Sequence, residues 1–200
     1  MKILTSNIDN FINNLKPYKN PVLLYGPDDG LAFYRSQLII RSYFKEDSIK
    51  EIKIFDCKER KLTELENHIS TNSLFSKKEI LKIINPGEKL INYFDLFDLA
   101  YKNAGIFIIV VASELAPKSK LRNFFEKEKN YAAIACYKID SATLKKTIIN
   151  FIIKNNLELE DTSISYLVET LGDNYQIILN ELEKLLLLNE KKITFDMVKN

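Results

Sequence analysis

A chain of 200 residues suffices for one large domain or two small ones with a buried core, which excludes peptide-scale and large multidomain architectures. Its 46% apolar and 28% charged residues are near the globular average and exclude disorder and collagen-like repeats. With 29 basic against 27 acidic side chains the net charge is +2, so whole-chain electrostatics make no case for a dedicated nucleic-acid or membrane binder.

Ile8, Phe11, Ile12 and Leu15 fall at helical spacing after Thr5 and Ser6, two good N-cap residues, and predict an opening amphipathic helix ended by Lys16-Pro17. Val22-Leu23-Leu24-Tyr25 reads as a short buried strand, Gly26 to Gly30 as a loop, and Leu31 to Phe44 as a helix. The alternation continues with a strand at Glu51–Phe55, a helix from Lys61 to about His68, a strand at Glu79–Ile84, and a helix running to about Lys102 after the break at Asn85-Pro86-Gly87. Ile106 to Val111 has no polar alternation, as expected of a strand buried on both faces of a parallel sheet. A basic helix from Pro117 to about Lys129 and a strand at Ala132–Tyr137 follow. Five apolar strands separated by helices predict an open, doubly wound α/β domain.

From Asp140 the strand signals stop and three helical patterns follow, placing a domain boundary near Lys138–Asp140. Leu144, Ile148, Phe151 and Ile152 share one helix face; Ile164, Leu167, Val168 and Leu171 share the next, which Gly172 closes. Asp173 with Gln176 reads as a capping box for a third helix carrying Ile177, Ile178, Leu182 and Leu185. The last residues, Ile193 to Asn200, form barely two helical turns, too short to stand without packing partners. A further domain is therefore expected to follow in the full protein.

Gly26 to Gly30 occupies the place of a phosphate-binding loop, yet the pattern would need Gly, Lys and Ser/Thr where the chain has Leu31, Ala32 and Phe33. Asp28 and Asp29 add negative charge where a triphosphate brings its own. The strands ending at Ile84 and Val111 are followed by Asn85-Pro86 and Ala112-Ser113-Glu114, with no acidic pair to hold Mg²⁺, so no catalytic constellation emerges. Cys57 and Cys136 stand far apart without C-x-x-C spacing, which argues against a zinc cluster or a disulfide framework and fits a reducing cytoplasm. The single histidine, His68, excludes any mechanism needing a His pair and reads as an ordinary helix-surface side chain. The longest apolar runs are too short to span a bilayer and the N-terminus has no apolar signal core.

Two further segments stand out. Thr71-Asn72-Ser73-Leu74-Phe75-Ser76-Lys77-Lys78 holds two adjacent large apolar residues within a polar stretch between elements. Their side chains must tuck into the core or face a partner; adjacent positions on a helical turn diverge by about 100°, so one partner pocket takes both only if the segment projects outward, and composition alone favours the core. Charge is also segregated: residues 118–154 carry a net +6 and residues 155–190 a net −7. The basic stretch is either a face for DNA phosphates or a solvated surface beside its acidic neighbour.

Leu23-Leu24-Tyr25-Gly26 before a degenerate phosphate loop, Ser73-Leu74-Phe75, Lys118-Ser119-Lys120-Leu121-Arg122 and Asn180-Glu181-Leu182-Glu183-Lys184-Leu185 together make a chain that resembles the delta subunit of the bacterial DNA polymerase III clamp loader over its whole length. The resemblance implies an AAA+-like α/β domain over residues 1–138, a three-helix lid over 139–200, and a missing helical collar domain. It implies a non-catalytic subunit with no cofactor and no metal. A nucleotide-sensing arginine is usual in AAA+ lids shortly after a Gly-Asp pair, whereas Gly172-Asp173 is followed here by Asn174-Tyr175-Gln176. By the same resemblance Leu74 and Phe75, supported by Ser73 and Asn72, insert into the pocket of the ring-shaped sliding clamp, reversing the preference for the core. The implied partners are the beta clamp, the delta-prime and gamma/tau subunits through the collar, and DNA indirectly; without the collar the chain is expected to be a cytoplasmic monomer. An active AAA+ ATPase is the enzyme alternative. A delta-prime subunit is disfavoured by the two cysteines, and a sequence-specific DNA-binding protein by the neutral overall charge.

Overall fold

A computed structural model of the chain describes residues 1–15, 21–44, 51–75, 79–104 and 106–199, with only the backbone described at 44, 72–75 and 101–104. The Lys16-Pro17 break and residues 76–78 of the Thr71–Lys78 segment thus lie outside the described residues. The chain divides into two units, Met1–Cys136 and Tyr137–Asn200.

The first unit alternates strands and helices: β1 (Lys2–Ile3), α1 (Ile8–Asn13), β2 (Val22–Tyr25), α2 (Asp29–Phe44), β3 (Glu51–Asp56), α3 (Leu62–Phe75), β4 (Glu79–Ile84), α4 (Phe94–Ala104), β5 (Ile106–Ala112), α5 (Lys120–Lys127) and β6 (Ala132–Ala135). The strands form one six-stranded sheet in the order β1-β6-β2-β5-β4-β3, with every pair parallel. This is the doubly wound α/β architecture that the alternation predicts, with one strand more. β1 escapes a pattern search because two residues carry no periodicity; it is defined by its pairing, Lys2 with Ala133 and Ile3 with Ile134.

The chain crosses to either side of β2, so helices cover both faces and the central strands are buried throughout: all four residues of β2 and the first five of β5. One face of the sheet presents Leu23, Tyr25, Leu81, Ile83, Ile108 and Val110 to a core completed by Leu65 and Ile69 of α3, Phe94 and Phe97 of α4, and Leu121 and Phe125 of α5. Phe94 stacks on Phe124 at 4.4 Å and meets Phe125 edge-on at 5.3 Å. On the opposite face α2 packs Tyr43 against Phe107 of β5, with ring centroids 4.3 Å apart. Two expected helix starts shift behind a 3-10 turn: the opening helix starts at Ile8 after Thr5–Asn7, where neither Thr5 nor Ser6 acts as the cap, and α4 follows a 3-10 segment at Glu88–Tyr93.

The second unit holds α6 (Ser141–Lys154), β7 (Glu158–Leu159), α7 (Asp161–Thr170), α8 (Tyr175–Leu187), β8 (Lys192–Ile193) and α9 (Phe195–Lys199). Its core joins Leu144, Ile148 and Ile152 to Ile164 and Leu167, to Ile178, Leu182 and Leu185, and to Ile193. The strand signals do not stop at Asp140: β7 and β8 pair in parallel, a two-residue ladder too short for a sequence pattern. Gly172 closes α7 with φ +68°, the left-handed position that glycine adopts at little cost. The cap of α8 is Asn174 rather than Asp173: Asn174 Oδ1 accepts from the Gln176 and Ile177 amides at 3.0 and 3.1 Å. Asp173 instead pairs with Lys138 at 2.7 Å. Ile177 is half exposed, because the residue before Ile178 points about a quarter-turn away from the core. No helix among the described residues is long and apolar enough to cross a membrane.

Candidate functional site

The loop after β2 stands where a phosphate-binding loop would, and its polar groups are met from within the chain. Asp28 is buried, and its Oδ1 accepts the Leu31 amide at 2.8 Å. The carboxylate thus caps the N-terminus of α2, satisfying a donor that a phosphate oxygen would otherwise meet. Gly26 lies against the end of β6: a Cβ there would meet the Cys136 carbonyl oxygen at 2.1 Å, and φ is +147°. The loop is fixed by backbone bonds, Gly26 N–H to Ser113 at 3.2 Å, Asp28 N–H to Cys136 at 3.2 Å, and Cys136 N–H to Tyr25 at 2.6 Å. The glycine of this loop therefore serves close strand-to-loop packing. Arg35 reaches back from α2 to donate to the Ala135 carbonyl at 2.6 Å.

Two of the motifs that carry the resemblance meet in space. Tyr25 is buried; its hydroxyl donates to Glu126 at 2.7 Å, and the Arg122 guanidinium lies 4.9 Å from its ring centroid. Arg122 Nε also donates to Glu126 at 3.0 Å and its Nη1 to the Leu115 carbonyl at 3.1 Å. Burial raises the Glu126 pKa, but the hydrogen bonds from Tyr25 and Arg122 and the charges of Arg122 and Lys2 outweigh it and leave the carboxyl below its ordinary value. Ser119 caps α5 by accepting the Arg122 amide at 3.3 Å and donates to Glu88 at 2.7 Å. Lys118-Ser119-Lys120-Leu121-Arg122 is thus a helix start tied to β2 and to the 3-10 segment.

At the end of β4, where a nucleotide hydrolase would set acidic residues, Asn85 donates to both Asp56 oxygens at 3.0 and 3.1 Å. The Lys58 amide, followed by the Asn85 amide, holds Asp56 below its ordinary carboxylate pKa. Burial, reinforced by the Asp56 charge, pushes the Cys57 thiol up to about 11, and burial raises Cys136 as well. Both thiols are thus protonated at neutral pH, which suits packing better than nucleophilic attack. Among the described residues no group of three His, Cys, Asp or Glu side chains is placed to hold a metal ion.

Ser73, Leu74 and Phe75 form the closing turn of α3, which runs to Phe75 rather than ending near His68. Their side chains, with that of Asn72, lie outside the described residues. His68 is not a surface histidine: its ring is 13% exposed, its Nε2 lies 2.7 Å from Glu79 and its Nδ1 3.0 Å from Lys53. This cluster ties α3 to the first residue of β4, bracketing the connection that follows Phe75. Its members come from three separate elements, 11 and 15 residues apart, so no local pattern announces it. Lys82, buried on β4 beneath α2, is the other group missed by the sequence reading; a lysine set between Leu81 and Ile83 in the apolar run Ile80–Ile84 is the signal that was available.

No family model matches the chain. It is 26% identical over 166 residues to the probable DNA polymerase III subunit delta of Rickettsia prowazekii (strain Madrid E), covering 82% of this chain and 49% of that protein. In fold it is similar to the Bacillus subtilis DNA clamp loader delta protein, with a TM-score of 0.66 and 16% identity over 98% of this chain and 61% of that one. It is also similar to the RuvB Holliday junction branch migration motor of Thermotoga maritima, with a TM-score of 0.56 and 17% identity over 98% of this chain and 67% of that one. The parallel sheet with a degenerate phosphate loop and a helical unit after it is an AAA+-like fold. Within that class the likeness is to DNA polymerase III delta, in sequence to the Rickettsia protein and in fold to the Bacillus one. The chain spans about half the length of the Rickettsia protein.

Proposed function

We propose that this chain is the clamp-opening part of a clamp-loader delta subunit: it binds the ring-shaped sliding clamp through Leu74 and Phe75, assisted by Ser73, and opens it without binding or hydrolysing ATP. The observation that carries the reading is the convergence of sequence and fold on delta proteins from two bacteria. Asp28 supports the ATP-independent part, since its carboxylate caps α2 where a phosphate would have to sit, and no lysine or hydroxyl follows at Ala32 and Phe33. The backbone of Leu74 and Phe75 closes α3, and two adjacent large apolar residues within a polar stretch are of the kind that anchors small interfaces, which supports their role.

Opening requires no fuel at this subunit. A ring that fluctuates between closed and open forms is shifted toward the open one by any ligand that binds it better, by the differential affinity alone. The delta-prime and gamma/tau subunits would join it through the collar, ATP on neighbouring subunits would time the exposure of the anchors, and DNA would pass through the opened ring. In this reading residues 1–138 are the clamp-binding domain, residues 139–200 the lid, and the protein works in the cytoplasm.

The test is calorimetric titration of the chain with the sliding clamp of the same organism, beside a Leu74→Ala/Phe75→Ala variant of verified fold. Loss of two apolar anchors removes at least about 2 kcal/mol, more than tenfold in affinity. Equal binding by both proteins refutes the two anchors, and absence of binding by the wild type refutes the clamp reading.

A further inference from the structure

The face of the sheet beneath α2 is covered only in part. Lys82 of β4 points to this face and is 8% exposed; its Nζ donates to Ser36 at 3.0 Å and lies 5.1 Å from the centroid of the Phe33 ring. An ammonium carries three donors, and among the described residues no carboxylate comes within ion-pair distance of this one. A buried cation without a counter-charge is costly unless something supplies one. Burial accordingly lowers the Lys82 pKa.

Lys82 lines a recess of about 300 Å³ between α2 and the C-terminal ends of β4 and β5, with Asp29, Phe33, Ile84, Asn85 and Val111. Beside it the sheet surface is apolar and open. Ile54 stands in register with Lys82 and is 57% exposed, Ile52 on the same face of β3 is 46% exposed, and Phe33 across the recess is 51% exposed. β3 is the edge strand, so nothing of the sheet lies beyond them. An apolar patch around a single buried positive charge matches a ligand of the opposite design. Asp29 on the recess wall repels any anion, a dianion such as phosphate about twice as strongly as a single carboxylate, so the single carboxylate is the better match to Lys82.

We propose that this recess receives an acidic side chain of a partner protein, presented between apolar residues, with Lys82 as its counter-charge and Phe33, Ile52 and Ile54 as its apolar seat. The surface is separate from the clamp-binding element, because α3 packs on the opposite sheet face with Leu81 and Ile83.

The isotopically labelled full chain is titrated with the capped peptide acetyl-Val-Glu-Val-amide, followed by NMR, beside the Gln version of the peptide and sodium phosphate. Saturable shifts of the Phe33, Ile54, Lys82 and Ile84 amides are expected with the Glu peptide, at least about tenfold weaker with Gln, as the loss of a charge-assisted contact implies. Lys82→Met abolishes the preference for Glu over Gln, and Ile54→Ser, a change at an exposed position that leaves the core intact, weakens both peptides. Equal binding of the two peptides, binding of neither, or tighter binding of phosphate than of the Glu peptide overturns the proposal.

Discussion

Replacing Gly26 by alanine tests whether this glycine survives in the degenerate loop for packing. The added Cβ would stand 2.1 Å from the Cys136 oxygen and 2.6 Å from its carbonyl carbon, both inside the 3.0 Å that real Cβ atoms respect. The obstacle is backbone, and that backbone is fixed by the Cys136 amide bond to Tyr25 and the Asp28 amide bond to Cys136, so it cannot swing aside as a side chain would. A non-glycine residue at φ +147° costs about 1–3 kcal/mol. Forcing the end of β6 away adds about 1–3 kcal/mol. The expected loss is therefore about 2–6 kcal/mol, a large share of the roughly 5–15 kcal/mol that stabilises a domain. Gly172→Ala is the comparison: φ is +68° but no atom lies within 4 Å of the new Cβ, so only the left-handed penalty of about 1–2 kcal/mol applies. Urea unfolding followed by circular dichroism reads both. Gly26→Ala should move the transition of the first unit, and Gly172→Ala should move that of the second by less. If Gly26→Ala costs no more than Gly172→Ala, the close approach to Cys136 is wrong.

Asp28→Ala removes the cap of α2 and should cost about 0.5–2 kcal/mol in the same assay; titrated ATP should still show no saturable binding, since the lysine and hydroxyl of a phosphate loop remain absent. Asn174→Ala should cost about 1 kcal/mol, and Asp173→Ala less, because it breaks only an exposed pair with Lys138; the reverse order in urea unfolding would refute the cap. Lys82→Met should stabilise the first unit by about 1 kcal/mol by replacing a buried charge with an apolar chain of similar length. Because burial holds the Lys82 pKa below 10.5, the unfolded chain binds that proton more tightly between the two values. Wild-type stability should therefore gain on that of Lys82→Met as pH rises toward 10.5, and a gap independent of pH from 7 to 10.5 would count against the buried ammonium.

The sequence by itself determined the alternation of strands and helices, the apolar faces of α6, α7 and α8, and the failure of the phosphate-loop pattern, because each is a local property of side-chain period and residue type. Uninterrupted apolar runs such as Ile106 to Val111 also required cover on both faces of the sheet, and they received it from α2 on one side and α3, α4 and α5 on the other. Features built from distant residues were not legible. Lys2–Ile3 is a strand only because Ala133 and Ile134 offer it hydrogen bonds, and β7 with β8 is a ladder only because the turns around them bring Leu159 beside Ile193. Asp173 and Asn174 offer the same capping chemistry one residue apart, and the nearby Lys138 helped decide which one faces the helix. Helix α3 outruns its pattern to Phe75, past Thr71, Asn72 and Ser73, residues of weak helix propensity, while the His68–Glu79 contact ties the helix to β4. Tertiary structure alone decided that Asp28 is a cap, that Gly26 yields to Cys136, that Tyr25 and Arg122 share Glu126, and that Lys82 lies buried beneath α2. The physical reason is common to all four: each depends on which atoms the fold places within hydrogen-bond or van der Waals distance, and no periodicity in the chain records that distance.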